Sequence, residues 1–303
     1  MVLVDKLSIC ISSPNQTSGQ LEKRSQLLSN YKSPLRYPGG KSRACKLLYD
    51  MIPDEVDTVI SPFLGGGSFE LYLINKGYKV IAYDAFKPLT NFWQILIKDP
   101  EALHSMIIPC IGRVDKDIFK SYQNKIIHSN NNTAADAVMF YIVNRCSFSG
   151  TTLSGGYSKA SANTRFTKSI VDRLLDFKDI GNKLEVHNSP MELSLPMYTR
   201  NIEYDNAFIF ADPPYDIKSN LYGIEGSMHK DFNHRWFRNV MDNINNIPFM
   251  ITYNGAEEIR ELWSDYNIED INWKYGMNRS KKSNEIVITN YSNDVENEET
   301  INE

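Results

Sequence analysis

Short apolar runs separated by turn-forming residues recur along most of this chain. DTVISPF (57–63) and KVIAYD (79–84) flank three consecutive glycines (65–67) and a helical stretch from Ser68 to Lys76, a pattern that predicts strand, tight turn, helix, strand. Further buried-strand patterns lie at LEVHN (184–188), AFIFA (207–211), PFMITYN (248–254) and EIVITNY (285–291), several bounded by Pro, Asn or Asp. The expected sheet therefore draws strands from both halves of the chain. Between them, 113–180 reads as mostly helical, with AADAVMFYIVNR and SIVDRLLDFKDI around a polar Gly/Ser/Asn segment at 147–164. It predicts an insertion rather than more sheet. Residues 1–32 are rich in Ser, Asn, Gln and Lys without periodicity, and 292–303 (SNDVENEETINE) are polar and acidic, so both ends are expected to be mobile extensions.

Composition narrows the class. With 303 residues, 42% of them hydrophobic, the chain can bury a sizeable core. The 33 Lys and Arg against 37 Asp and Glu, a net charge of −4, exclude a polybasic histone-like binder and a wholly disordered acidic chain. They do not exclude nucleic acid, because binding needs only a local excess of cations. Residues 113–183 carry eleven Lys or Arg against six Asp, a local balance of +5. The overall deficit belongs to the tail: without Asp294, Glu296, Glu298, Glu299 and Glu303 the remainder stands at 33 against 32. Cys10, Cys45, Cys110 and Cys146 form no CxxC pair and meet no His at zinc-ligand spacing, so reduced thiols and no metal are expected. No apolar run approaches the roughly 20 residues of a membrane span. An intracellular, cytoplasmic protein is the expectation.

Four segments carry candidate chemistry. ISPFLGGGSF (60–69) breaks from a strand into glycines and enters a helix, which suits close approach of a ligand to backbone and free N–H groups; it also reads as an ordinary turn. The spacing is not G-x-G-x-x-G, so no dinucleotide is implied. Asp84, about 20 residues on at the end of the next apolar run, can accept ribose hydroxyls, or simply cap a helix. ADPPYD (211–216) follows a strand pattern directly, and two prolines force the chain out of the sheet, fixing Asp212 and Tyr215 on a stiff loop. SPLRYPGGKSR (33–43) has an aromatic, a Pro-Gly-Gly kink and cations but not the P-loop spacing, and NRCSFSGTTLSGGYS (144–158) is a polar loop within the basic insertion. Either could be a surface turn.

Together these segments resemble the Dam-like, D12 class of adenine-specific DNA N6-methyltransferases. PGGK (38–41), PFLGGGS (62–68), NRCSFSG (144–150) and DPPY (212–215) stand in that family's order, and ITYN (251–254) and SNEIVITNY (283–291) are similar to its closing strands. The likeness runs from about 33 to 291. It departs at Ser61, where many members carry an acidic residue, and at HNSPMEL (187–193), which lacks an Asp often found there. The resemblance implies an α/β fold, a Rossmann-like S-adenosylmethionine-dependent methyltransferase sheet formed by 33–112 and 181–291, with 113–180 as a mainly helical inserted target-recognition domain. It implies a catalytic loop of Asp212, Pro213, Pro214 and Tyr215, and a cofactor site of Tyr37, Lys41, Phe63, Gly65, Gly67, Asp84 and Asp212. Double-stranded DNA becomes the expected partner, with Arg145, Lys159, Arg165 and Lys168 as candidate contacts and a cognate restriction endonuclease as a further partner. Cytosine-N4 or RNA methylation, a DNA-binding relative without catalysis, and, from fold alone, a nicotinamide oxidoreductase are the alternatives.

Overall fold

Adjacent residues of each central strand point into two different cores. The computed structural model describes residues 30–198, 206–215, 232–244, 246–271 and 285–292. Val59 and Ile60 of β1 (Thr58–Ser61), Val80 and Ile81 of β2 (Lys79–Asp84), and Phe208 and Ile209 of β4 (Ala207–Ala211) alternate between the two clusters. A strand buried on both faces reads as a continuous apolar run, and such strands need helices on each side. With β3 (Leu184–Asn188), β5 (Phe249–Asn254), β6 (Asn267–Ile271) and β7 (Glu285–Thr289) they form one sheet in the order β3-β2-β1-β4-β5-β7-β6.

The first five strands in that order are parallel, and β7 runs antiparallel to both β5 and β6. This is a Rossmann-like methyltransferase sheet closed by an antiparallel hairpin at one edge. The order reverses between β1 and β4, and the carboxyl edge at such a switch point is where α/β sheets bind ligands. β6, with its largely exposed NIEDI sequence, is not foreshadowed by the apolar runs: one residue of its five is buried. Pairing with β7 rather than burial makes it a strand.

Eleven helices are labelled here: α1 (Cys45–Tyr49), α2 (Ser68–Asn75), α3 (Lys87–Lys98), α4 (Pro100–Ile107), α5 (Lys116–His128), α6 (Ala134–Cys146), α7 (Lys159–Arg165), α8 (Lys168–Val171), α9 (Met191–Ser194), α10 (His234–Asp242) and α11 (Glu257–Leu262). The stretch 113–180 adds helices and no strand to the sheet. Thr133 starts α6 with a capping box, its hydroxyl accepting from Asp136 N while Asp136 accepts from Thr133 N. α6 then packs on α3, Phe92 lying 5.5 Å from Tyr141 with rings 11° from parallel. Phe119, Phe140, Phe166 and Phe177 join the same core as the sheet residues Val59 and Val80. The inserted helices therefore share their apolar core with one face of the sheet.

The expected N-terminal boundary needs correction. Tyr31, assigned to the extension, is buried, and its backbone exchanges two 2.9 Å hydrogen bonds with the Asn75 amide at the end of α2. The packed chain begins before residue 33 because this bond pair holds Tyr31 against the last residue of that helix. Residues 1–29 and 293–303, the remainder of the two expected extensions, lie outside the described residues. Among the described residues no helix is long and apolar enough to cross a membrane, and Cys45, Cys110 and Cys146 are free thiols.

Candidate functional site

Three neighbouring strands deliver the predicted motifs to one edge. β2 ends in Asp84, β1 leads through Pro62 into the glycine turn, and β4 ends at Ala211 because Pro213 and Pro214 have no N–H to continue the ladder. Gly65 and Gly67 both adopt left-handed conformations, with φ of 49° and 64°. Tyr37 lies directly on this turn: a Cβ at Gly66 would meet the Tyr37 Cβ at 2.6 Å. On the other side Trp93 Nε1 donates to Gly65 O at 3.2 Å. The turn is clamped between two aromatic rings, which only glycine allows.

Asp84 ties β2 to that turn. Its Oδ2 accepts from Gly65 N at 3.0 Å and its Oδ1 from Phe86 N at 2.8 Å. Burial pushes its carboxyl up to about 6, against the lowering effect of those two amides. Asp84 does not cap the following helix, since it bonds the N–H of the N-cap residue Phe86 and no helical amide, and each of its oxygens keeps a lone pair beyond its amide bond. A buried carboxylate at the end of β2 beside a glycine turn is an acceptor that fits the ribose hydroxyls of S-adenosylmethionine, and the residues present are compatible with that group. Phe63 is half-buried and meets Phe232 and Phe237 edge-on at 5.7 and 5.6 Å, which places it on the second core beside the turn.

Lys41, which the resemblance assigns to the cofactor, reaches the catalytic loop: its buried ammonium donates to Asp212 Oδ1 at 2.7 Å and Oδ2 at 2.9 Å, to the Tyr215 hydroxyl at 2.7 Å and to Gly39 O at 3.3 Å. The bend at Gly39 (φ 74°) and the turn closed by Ala44 N on Lys41 O aim this side chain under the DPPY loop. Asp212 Oδ1 also accepts from Thr252 Oγ1 of β5 at 2.7 Å and from the Tyr215 hydroxyl at 3.0 Å. The Tyr215 ring has Lys41 Nζ 4.9 Å from its centroid and Tyr253 6.1 Å away. Tyr215 is held well above the ordinary phenol range by burial and by the charges of Asp212 and Glu285. It is a neutral donor.

Sequence reasoning missed several members of this cluster. Thr252 and Glu285 lie in segments read only as closing strands; a Thr within PFMITYN and an acid opening an apolar strand were the available signals. Ser61 Oγ donates to the buried Glu70 of α2 at 2.7 Å. Desolvation raises the Glu70 carboxyl to about 7, with Ser61 and Lys41 lowering it and Asp212 raising it. Where relatives are expected to carry an acid at the Ser61 position, this chain brings a carboxyl to Ser61 from the next helix.

The second pairing joins the first and third motifs. Asn144, fully buried, accepts from Arg36 N at 2.9 Å and donates to Arg36 O at 2.8 Å and Thr152 Oγ1 at 3.0 Å. Arg36 Nη1 reaches Ser147 O and Ser161 Oγ at 3.0 and 3.1 Å. The loop bound this way holds Ser149, Gly150 and Thr152 at φ of 53°, 79° and 50°. Positive φ at two non-glycine residues stores strain of a kind common at functional sites. It presents Phe148, 69% exposed, which sequence reasoning did not single out.

Arg145 is a second correction. It was expected to face DNA, yet it is buried, its Nε donating to Arg165 O at 2.7 Å and its Nη1 to Pro34 O at 3.2 Å. Its guanidinium is committed to two carbonyls and braces the loop from behind. Lys159, Arg165 and Lys168 are exposed at α7 and α8, and Lys168 pairs with Asp172 at 2.7 Å. The structure thus gathers Tyr37, Gly65, Gly67, Asp84, Lys41, Asp212 and Tyr215 along the sheet edge. It leaves Lys159, Arg165 and Lys168 on the helical insertion.

Comparison with known proteins bears on this arrangement. Residues 37–277 match the family described as D12 class N6 adenine-specific DNA methyltransferase. Type II methyltransferase M.FokI of Planomicrobium okeanokoites is 21% identical over 94% of this chain, and the chain spans only 47% of that protein's length. Type II methyltransferase M1.LlaDCHI of Lactococcus lactis subsp. cremoris is 22% identical over 85% of this chain and 95% of its own length. Among solved structures, the rRNA methyltransferase aviRa from Streptomyces viridochromogenes covers 90% of this chain and 93% of its own at 10% identity and a TM-score of 0.35.

Proposed function

This chain belongs to the D12 class N6 adenine-specific DNA methyltransferase family, and from that premise we propose that it transfers a methyl group from S-adenosylmethionine to the exocyclic amine of an adenine flipped out of duplex DNA. The observation that carries this reading is Asp212. It directly follows β4 at the switch point, oriented by Lys41, Thr252 and Tyr215, after the strand next to the one that leads into the Gly65–Gly67 turn. S-adenosylmethionine, when bound, supplies an electrophilic methyl group on sulfur.

Adenine N6 is a weak nucleophile because its lone pair is delocalised into the ring. Asp212 accepts one N6 hydrogen bond and the Pro213 carbonyl a second, which favours a more tetrahedral nitrogen with its lone pair directed at the methyl group. The contribution is positioning and electrostatics. Pro214 keeps the loop stiff, and the anchored Tyr215 ring offers a face for the base. Tyr37, Phe63, Gly65, Gly67 and Asp84 hold the cofactor, Asp84 by its ribose.

A duplex hides N6 from such a pocket, so the base has to leave the stack. Phe148, exposed on a braced loop, is suited to enter the base steps beside the vacated position. Lys159, Arg165 and Lys168 neutralise phosphates from the insertion, which serves as the target-recognition region. The kinship with type II methyltransferases supports a cognate restriction endonuclease as functional partner.

The test is methyl transfer from labelled cofactor to duplex DNA, followed by nucleoside analysis. N6-methyladenine in wild-type reactions and its loss in Asp212→Ala are the expected results. Undiminished transfer by Asp212→Ala overturns the role of the loop, while N4-methylcytosine or methylated RNA redirects the substrate class.

A further inference from the structure

The hydrogen bonds at Asp212 fill its Oδ1 and leave a single lone-pair position, on an Oδ2 already shared with the Lys41 ammonium. A carboxylate offers about four lone-pair positions. Lys41 takes one on each oxygen, at 2.7 and 2.9 Å, and Thr252 and Tyr215 both donate to Oδ1, at 2.7 and 3.0 Å. For Asp212 to offer the N6 hydrogen an oxygen that no cation shares, Lys41 has to let go of Oδ2. Lys41 is the donor that uses two positions, but it is 5% exposed, and a buried ammonium cannot be released without a second anion to receive it.

Glu285 is that anion. It opens β7, is 5% exposed, and is held in register opposite Asn254 of β5. Its Oε2 lies 3.8 Å from Lys41 Nζ and accepts from the Tyr215 hydroxyl at 3.4 Å. A shift of about 1 Å brings the ammonium to the ordinary length of a charge-assisted bond. Both donors that crowd Asp212 from below therefore already touch the same neighbouring carboxylate.

We propose that Glu285 is a positioning residue of the methyl-transfer site: it receives Lys41 and the Tyr215 hydroxyl as Asp212 turns an oxygen to the substrate amine. The role rests on the reading that Asp212 accepts that amine. In the DNA-free protein Lys41 covers Asp212, and substrate binding moves the cation along to Glu285. The charge inside the cluster is unchanged by the exchange, so no proton needs to enter or leave.

The experiment compares wild type, Glu285→Gln and Glu285→Asp as full chains. It measures steady-state transfer to a duplex that wild type methylates, S-adenosylmethionine affinity by calorimetry, and thermal melting. The expected result for Glu285→Gln is a kcat about 10- to 100-fold lower, with cofactor affinity and KM for DNA within about twofold of wild type. Glu285→Asp, which keeps the charge with a shorter reach, should recover part of that loss. If Glu285→Gln does not fold, Glu285→Asp carries the test, and a kcat reduced with cofactor affinity intact supports the role. Wild-type kcat in folded Glu285→Gln overturns it, or in Glu285→Asp where Glu285→Gln does not fold, as does a loss in either variant matched by lost cofactor binding. A wild type that transfers methyl to no adenine overturns the proposed function and this role with it; an active wild type beside an equally active Glu285→Gln overturns the role alone.

Discussion

Lys41 Nζ lies 2.7 Å from Asp212 Oδ1 although 171 residues separate the two in the chain. The pair joins the first motif to the last, and Thr252 reaches the same carboxylate oxygen from β5. Removing the cation leaves Asp212 and Glu285 facing each other with no ion between them. Lys41→Met should lower methyl transfer by about 100-fold or more and destabilise the chain by about 1–3 kcal/mol, less than for a fully buried pair because Asp212 is 24% exposed. Thr252→Val keeps the volume and removes one bond to a charged group, so about a tenfold loss of kcat is expected. Labelled-methyl assays with denaturant titrations check both, and wild-type rates in Lys41→Met contradict the first expectation.

Asp84 sets a pH limit on cofactor affinity. Its carboxyl, raised by burial to about 6, is ionised and a full acceptor at neutral pH. Acidification through about 6 protonates it, so calorimetry should show S-adenosylmethionine binding weaken as pH falls across that value. Asp84→Asn should bind more weakly at neutral pH and lose this dependence. A wild-type profile flat across that window contradicts the assignment.

Glu70 sets a pH dependence of stability in the opposite sense. Its folded value of about 7 exceeds the ordinary 4.5, so the folded chain holds this proton more tightly than the unfolded chain. Its contribution is fully present below 4.5 and is lost as pH rises through about 7. Glu70→Gln should flatten the fall in unfolding free energy across that interval, by about 3 kcal/mol. Equal slopes in the two proteins contradict it.

Gly150 occupies a position that no other residue fills without displacement. Its φ is 79°, and a Cβ there would lie 2.6 Å from Arg36 O. Gly150→Ala should destabilise by about 1–3 kcal/mol and weaken DNA binding through Phe148. Gel-shift and melting measurements separate the two effects when compared with Phe148→Ala, for which only the DNA affinity should fall.

Arg145 and Arg165 should part company. Arg145→Ala strands the carbonyls of Pro34 and Arg165 and is expected to cost about 1–3 kcal/mol of stability. Arg165→Ala should leave stability within about 0.5 kcal/mol and lower the slope of log affinity against log salt by about one ion. An unchanged slope for Arg165→Ala removes it from the phosphate contacts.

The strands that bear the motifs were legible because a strand buried on both faces writes itself as an unbroken apolar run, and because Pro213 and Pro214 cannot extend one. The order PGGK, PFLGGGS, NRCSFSG, DPPY identified the family from local residues alone. β6 was not legible, since its strand character comes from pairing with β7 and not from its own largely exposed side chains. Nor was the fate of Arg145: a cation in a basic stretch reads the same whether it faces solvent or two buried carbonyls.

The sequence by itself determined the elements and which residues stand at the ends of β1, β2 and β4, because those depend on periodicity and on the turn chemistry of Gly and Pro. Only the tertiary structure decided which of those residues meet. Lys41 on Asp212, Glu285 beside Lys41, Glu70 against Ser61 and Asn144 on Arg36 are contacts across 9 to 244 residues, set by strand order and helix packing. A side chain's charge is written in its residue type, whereas its partner depends on where the folded backbone leaves it.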